Sequence, residues 1–370
     1  MHIIYISKIP VYPVNGGEQI RSHGLIQLLS EYSDNLSVII PHDNSISDCT
    51  PENTKIYNYK FSHKHQIFPF YREKKIIKLI SKINKNRNVD LAFIDYHFFG
   101  QYIGYFKQKG VKVIYGTHNS QANLVLHRKY GNVFGRLFNY GYFNLVRFHE
   151  KFYFNKADKL VVVSNQDKIY HSKFVDVHKI TIIPNFLDKK KYNKFITKNK
   201  QNDLITFCAN FLSFQNIEGF KWFIKNVWKK PINSSYRLLL VGRGSKKIIS
   251  SKEFSHVSNI EATGEVESVC EYLAISKLSI VPLLHGSGSR LKCLESMALK
   301  TQLLTTTKGI EGILHDGKVL IADSDTEFIA KIESAMTSSV DMTDDAYEIF
   351  NNNYSKEACR SIVRDLINFN

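Results

Sequence analysis

Residues 278–306 read LSIVPLLHGSGSRLKCLESMALKTQLLTT. Leu278–Pro282 is a short apolar run, 286–289 is Gly-Ser-Gly-Ser, 290–299 has the spacing of a helix, and Gln302–Thr306 returns as a strand. Strand, glycine loop, helix and strand in that order make a parallel βαβ unit. At about 100° per residue, Leu291, Leu294 and Ala298 share one face of the helix. Lys292 and Glu295 lie on the opposite face, and Arg290 falls in the first turn. A helix N-terminus carries unpaired N–H groups and a partial positive charge, so it holds anions well. Two cations there suit a diphosphate, while a carboxylate one turn on can accept hydrogen bonds from sugar hydroxyls. A sugar nucleotide fits these residues; so does a plain surface helix with an i,i+3 Lys–Glu pair.

The same grammar runs through the chain. In the first half, His2–Ser7 reads as a strand, Pro10–Gly17 as a loop, and a helix continues through Leu29. Val38–Pro41, Asp90–Ile94, Val111–Tyr115 and Lys159–Ser164 read as further strands. Helices are expected over 72–87, which is rich in lysine, and over roughly 130–156, which is rich in aromatics. The polar stretch 188–203 lacks periodicity and is expected to be a linker. Beyond it come strands at Leu204–Ala209 and Tyr236–Val241, helices at 216–229 and near 266–276, and the unit already quoted. Strands alternating with helices predict parallel sheets covered on both faces. The expected organisation is therefore α/β: a Rossmann-like domain over 1–187, a second over 204–355, an interdomain cleft, and a C-terminal helix in 356–370 packing back on the first domain. Ligands in such sheets bind beyond the carboxyl ends of the strands. The loops 10–17, 95–97, 116–120, 242–244, 283–289 and 307–312 all lie at such ends.

Composition narrows the partners. The 370 residues carry a net charge of +16, with 13% aromatic content. That excess predicts attraction to polyanions, anionic lipid surfaces or phosphorylated substrates. Five cysteines are scattered without a CxxC pair, which suggests neither a zinc site nor a disulfide framework. No run of 18 or more apolar residues occurs, and MHIIYISKIP is too short an apolar run for a signal peptide. A cytoplasmic protein is expected. The helix over 72–87 places Ile76, Ile77, Ile80 and Ile83 on one side and Lys74, Lys75, Lys78, Lys82 and Lys85 on the other. The expected use is a packed isoleucine face with lysines turned toward an anionic membrane surface. For the aromatics Tyr130, Phe134, Phe138, Tyr142, Phe143 and Phe148, core packing is the expected use and an exposed membrane edge the alternative.

Taken in order, NGGEQIRSHGLIQLL (15–29), THNSQANLVLHR (117–128), ADKLVVVSNQD (157–167), IIPNFLD (182–188), NIEGFKWFIKNVW (216–228), LLLVGRG (238–244), GSGSRLKCLESMALK (286–300) and TTTKGIEG (305–312) resemble the GT-B-fold retaining glycosyltransferases of family 4, the group 1 glycosyltransferases. The resemblance covers nearly the whole chain. It implies a nucleoside diphosphate sugar donor held by the C-terminal domain, a glycan acceptor held by the N-terminal one, and no required metal or other cofactor. Carried over, Arg290 and Lys292 contact the diphosphate, Glu295 the ribose hydroxyls, and Gly16 and Gly17 let the first loop approach the phosphates. His118 lies beside the transferred sugar in a positioning role, and Gly309, Ile310 and Glu311 close over the diphosphate or sugar. Two positions depart from the common pattern. Ser287 stands eight residues before Glu295 where many members carry a glutamate, and FLSFQN (211–216) replaces an Arg and Lys pair.

Several residues have two readings each. Glu311 either sits in a loop whose N–H groups cradle a phosphate or caps a helix. Arg243, between two glycines, either reaches the donor or lies in a solvated turn. Asp95 and His97 end a strand and are candidates to meet the acceptor. With the basic charge, the resemblance implies a cytoplasmic enzyme, peripheral on the inner face of the membrane, extending a lipid-linked glycan of the capsule or lipopolysaccharide kind. An epimerase or phosphorylase of the same fold is the nearest alternative. A nucleic-acid-binding protein is a more distant one, since no RRM, KH or helix-turn-helix signature occurs.

Overall fold

The computed structural model describes residues 1–12, 14, 16–41, 50–60, 70–126, 133–196, 199–229, 231–286, 290–337 and 341–369. The chain divides into two compact units, Met1–Asn185 with Cys359–Asn370, and Phe186–Gly286 with Arg290–Ala358.

The first unit runs β1 (His2–Ser7), α1 (Gly17–Glu31), β2 (Asn35–Pro41), β3 (Thr54–Tyr59), α2 (Lys74–Asn86), β4 (Leu91–Asp95), α3 (Ile103–Lys107), β5 (Lys112–Gly116), α4 (Gln121–Leu126), α5 (Val133–Phe154), β6 (Lys159–Val162), α6 (Asn165–His171) and β7 (Ile180–Ile182). Its seven strands pair in parallel in the order β3-β2-β1-β4-β5-β6-β7. Chain order reverses between β1 and β4, so the loops after these strands open at a topological switch point. Central strands bury both faces, which is why they read as unbroken apolar runs: every residue of β1 and of β4 is buried. Helix α2 packs Ile76, Ile80 and Ile83 into the core beneath the sheet, while all five of its lysines are exposed. That agrees with the expected division of faces.

The second unit runs α7 (Lys189–Asn193), β8 (Gln201–Cys208), α8 (Phe214–Asn226), α9 (Ile232–Ser235), β9 (Arg237–Val241), α10 (Ser245–Ile249), β10 (Ile260–Gly264), α11 (Cys270–Ile275), β11 (Ser276–Val281), α12 (Leu291–Ala298), β12 (Gln302–Thr305), β13 (Leu320–Ile321), α13 (Asp325–Thr337) and α14 (Thr343–Asn353). Six parallel strands take the order β10-β9-β8-β11-β12-β13, with the switch point between β8 and β11. Aromatic side chains, among them Phe207, Phe220, Phe223, Trp228 and Phe328, fill its core. Gly219 of α8 lies against the end of β11: a Cβ there would collide with the carbonyl of Pro282. Glycine thus sets how closely α8 approaches the switch point.

The stretch expected to be a linker differs from the sequence reading. The stretch 188–203 holds α7 and the first residues of β8, because Asp188 caps α7 by accepting from the Lys190 N–H at 3.1 Å. The last helix, α15 (Lys356–Ile367), contributes its residues from Cys359 onward to the first unit. There Arg360 meets Glu31 at 2.8 Å.

Candidate functional site

Each switch point carries a polar group. In the second unit, β11 ends at Val281 and the chain re-enters a helix at Leu291, so Arg290 is the residue immediately before α12 rather than part of its first turn. Its guanidinium is 5% exposed, donates to the Gly286 carbonyl at 3.1 Å, and stands 3.5 Å from the Glu311 carboxylate. Lys292 donates to Asn216 Oδ1 at 2.8 Å and lies 5.6 Å from the centre of the Phe207 ring. Asn216 belongs to α8, the helix after β8, so this bond joins the two elements that flank the switch point. Glu295 accepts from the Tyr192 hydroxyl of α7 at 3.5 Å. Burial, and secondarily Arg290, lowers the Lys292 ammonium to about 8. Burial raises the Glu295 carboxyl to about 7, with Lys292 pulling the other way. Both shifts express one situation: charged groups with little water and incomplete pairing, ready for a ligand that supplies the missing charge.

The segment after β12 is built differently from the expected cradle. Gly309 N–H donates to the Thr306 hydroxyl at 2.8 Å, and Ile310 N–H to the Thr306 carbonyl at 3.2 Å. Those two N–H groups already have partners, and the Ile310 side chain is buried with Val281, Leu283 and Cys293. A Cβ on Gly309 would strike the Thr305 hydroxyl and the Val281 carbonyl, so glycine is what lets this turn close onto β11. Glu311 is neither cradle nor cap. Its carboxylate pairs with Lys308 at 2.5 Å and Arg290 at 3.5 Å, and so serves as counter-ion to both cations. Arg243 is exposed and forks onto Glu265 at 2.6 and 3.1 Å, which is the solvated-turn reading. Ser287 lies outside the described residues.

In the first unit the centre is Asp95, at the end of β4 and wholly buried. One oxygen, Oδ2, accepts from Tyr5 at 2.5 Å, Ser22 at 3.0 Å and the His118 ring at 2.9 Å. Burial works against its charge, but His118 and Arg21, with the bond from Tyr5, bring the carboxyl below its ordinary value. Asp95 therefore faces inward and orients His118; no part of it is exposed to an acceptor, contrary to the expectation from its strand-end position. His118, after β5, is 6% exposed, its ring centre 4.8 Å from that of Tyr96 with the two planes tilted by 56°. His97 lies 3.3 Å from Lys8 Nζ and 4.2 Å from the Tyr96 ring. Burial lowers Lys8 to about 8. Tyr96 and Phe98, on either side of His97, take left-handed backbone angles, φ 88° and 65°. Each costs of order 1–3 kcal/mol, and strain of that kind clusters at functional sites. Gly16 differs from the glycine expectation: its φ of −140° is one any residue adopts, and its only close neighbour would be the flexible end of Gln19.

Sequence reasoning missed Asn216, Tyr192, Tyr5, Ser22 and Lys8. Asn216 and Ser22 stood within quoted motifs. No spacing signal ties these residues to their partners, because Tyr192 is 103 residues from Glu295, and Tyr5 and Ser22 are 90 and 73 residues from Asp95.

Two α/β units of this strand order, each with charged residues at its switch point, define a ligand-binding protein of the doubly wound α/β class. The family model described as Glycosyltransferase Family 4 matches residues 23–191, and that described as Glycosyl transferases group 1 matches residues 202–338. The chain belongs to the group 1 glycosyltransferases, and its fold is GT-B. It is 20% identical over 395 residues to a 44.6 kDa protein of the cps region of Klebsiella pneumoniae, covering 98% of this chain and 99% of that protein. Its fold is similar to WaaG, described as a glycosyltransferase involved in lipopolysaccharide biosynthesis, with TM-score 0.70, 14% identity and 100% of both chains covered. It is also similar to HepE of Anabaena, solved in complex with UDP and glucose, with TM-score 0.69, 12% identity and 99% and 98% of the two chains covered.

Proposed function

We propose that this glycosyltransferase moves a sugar, with retention, from a nucleoside diphosphate sugar to a lipid-linked glycan acceptor in bacterial surface polysaccharide synthesis. The observation that carries the reading is the group at the second switch point: a buried arginine, an incompletely paired lysine and a desolvated carboxylate within six residues. Arg290 and Lys292 are assigned to the diphosphate and Glu295 to the ribose hydroxyls. The relative from a cps region and the likeness to WaaG and to the UDP-bound HepE support the pathway class and the donor class.

As the glycosidic bond to the donor breaks, negative charge grows on the leaving diphosphate, and the two cations stabilise it more strongly than they do the bound donor. That assignment lets the reaction proceed without a metal ion, so transfer is expected to persist in excess chelator. His118, held by Asp95, is assigned to hydrogen-bond the transferred sugar and fix its position; His97 is assigned to the acceptor. The lysine face of α2 is assigned to an anionic membrane surface, and the enzyme to the cytoplasmic face of the membrane, where a lipid-linked acceptor would be extended. No described helix is long and apolar enough to cross a membrane.

Replacing Lys292 or Glu295 with Ala tests the site. Transfer is expected to fall by about ten- to a hundredfold in each variant with the circular dichroism spectrum unchanged, as losing one charge-assisted bond of about 1.5–3 kcal/mol requires. Unaltered turnover in both would remove the site assignment.

A further inference from the structure

Helix α5 carries apolar side chains on both its inner and its outer face. Its inner face holds Asn139, Val146, His149, Glu150, Tyr153 and Phe154, all buried, with Tyr142 and Phe143 half-buried beside them. Its exposed side carries Phe134 at 85%, Phe138 at 70%, Leu137 at 65% and Phe148 at 58%, with Leu145 and Phe152 beside them. At about 100° per residue these six fall within an arc of about 100°, and at about 1.5 Å per residue the stripe is about 27 Å long. The expectation of core packing is therefore overturned for Phe134, Phe138 and Phe148 and met by Tyr142 and Phe143, which pack against Ala122, Val125 and Val146, while Tyr130 lies outside the described residues. The polar residues of the inner face have a use of their own. Asn139 donates to the Val125 carbonyl at 2.8 Å, and Glu150 accepts from the Ala122 N–H at 3.1 Å, so α5 holds the helix that follows His118. Nothing in that arrangement requires phenylalanines outside.

Cations flank the stripe. Arg136, Arg147 and Lys151 are exposed on the adjoining side, and the Lys156 ammonium sits 3.7 Å over the Phe152 ring. Between residues 133 and 156 the only carboxylate is Glu150, and it is buried. The Phe70 ring extends the surface, 6.1 Å from Phe148, and the lysine-bearing helix α2 starts four residues later. Apolar patches of this extent on a folded surface mark interaction sites.

We propose that the outer face of α5 inserts shallowly into the headgroup region of an anionic bilayer. Rings at the acyl boundary with arginine and lysine at the phosphates are what such an interface accepts. A second copy of the chain fits worse. In a two-fold contact the patch meets itself, which would bring Arg136, Arg147 and Lys151 against their own copies with no exposed carboxylate on the helix to meet them. The inference deepens the membrane reading of the proposed function: α2 supplies long-range charge attraction, and α5 supplies insertion.

The two contributions separate by salt. Full-length protein is mixed with vesicles of phosphatidylcholine alone or with phosphatidylglycerol, at low salt and at about 1 M, where the screening length is about 3 Å. Insertion predicts binding to the anionic vesicles that survives high salt. The triple variant Phe134→Ser, Phe138→Ser, Phe148→Ser is expected to weaken that binding at least about tenfold and to leave the melting temperature unchanged, since all three side chains face water. The variant Lys74→Gln, Lys78→Gln, Lys82→Gln is expected to weaken only the low-salt binding. Wild-type binding abolished by high salt, or a triple-Ser variant that binds as the wild type does, would overturn the proposal. So would a dimer in sedimentation velocity that the triple-Ser variant dissociates while the wild type ignores vesicles. Absence of sugar transfer with every acceptor would remove the proposed reaction and leave the docking face standing.

Discussion

At the scale of single residues, the account rests on two groups of charges that are shielded from water and only partly matched. Glu295 is raised to about 7 and Lys292 lowered to about 8, in both cases chiefly by burial. Below about pH 7 Glu295 takes up a proton, loses its charge and accepts from hydroxyls more weakly; above about pH 8 Lys292 loses the proton that a diphosphate needs. Donor affinity is therefore expected to peak between these values and fall on both sides, as titration calorimetry across pH 5.5–9.5 (roughly the span these two groups cover) would show. The Lys292→Ala variant should lose the alkaline limb and keep the acid one. Asp95 makes a different prediction. Its folded pKa lies below the ordinary carboxylate value, so its contribution to stability is present at neutral pH and is lost as pH falls through the folded pKa. Asp95→Asn breaks a buried pair and is expected to cost about 3–5 kcal/mol at pH 7, read by denaturant unfolding. Asp95→Asn is also expected to lower kcat with little change in donor affinity, because Asp95 acts through His118.

Secondary-structure elements show where reading a sequence succeeds and where it stops. The central strands were legible because burial on both faces leaves unbroken apolar runs, as in His2–Ser7 and Leu91–Asp95. Strands β3, β7, β10 and β13 were missed for the converse reason: they lie at the sheet edges, where most of their residues are only partly buried and the runs are very short or broken by polar residues. Helix α2 was legible because its isoleucines recur at helical spacing, whereas α5 misled because phenylalanine is read as core whichever face it occupies. The α2 assignment has a direct check. Ile80→Ala is expected to destabilise by about 2–5 kcal/mol, and Lys78→Gln by no more than about 0.5 kcal/mol, in urea unfolding followed by circular dichroism. In the candidate site, the residues of the RLKCLE motif were legible, while Asn216 and Tyr192 were not, since only the folded sheet brings them to the same switch point.

For the whole molecule, a net charge of +16 on 370 residues is compatible with several polyanionic partners, and composition does not choose among them. What chooses is the placement of charge: Arg290 and Lys292 at one switch point, exposed lysines along α2, and cations beside the aromatic stripe of α5. The central claim is that the first of these binds a nucleoside diphosphate sugar. A ligand that binds only the folded state raises its apparent stability by RT ln(1 + [L]/Kd), about 2.7 kcal/mol at a hundredfold excess over Kd. The most direct measurement is the melting temperature of the wild type and of Lys292→Ala against a panel of nucleoside diphosphate sugars. One donor should raise the wild-type melting temperature by several degrees and that of Lys292→Ala markedly less at the same concentration. Equal stabilisation of both proteins, or of neither by any donor, would contradict the account.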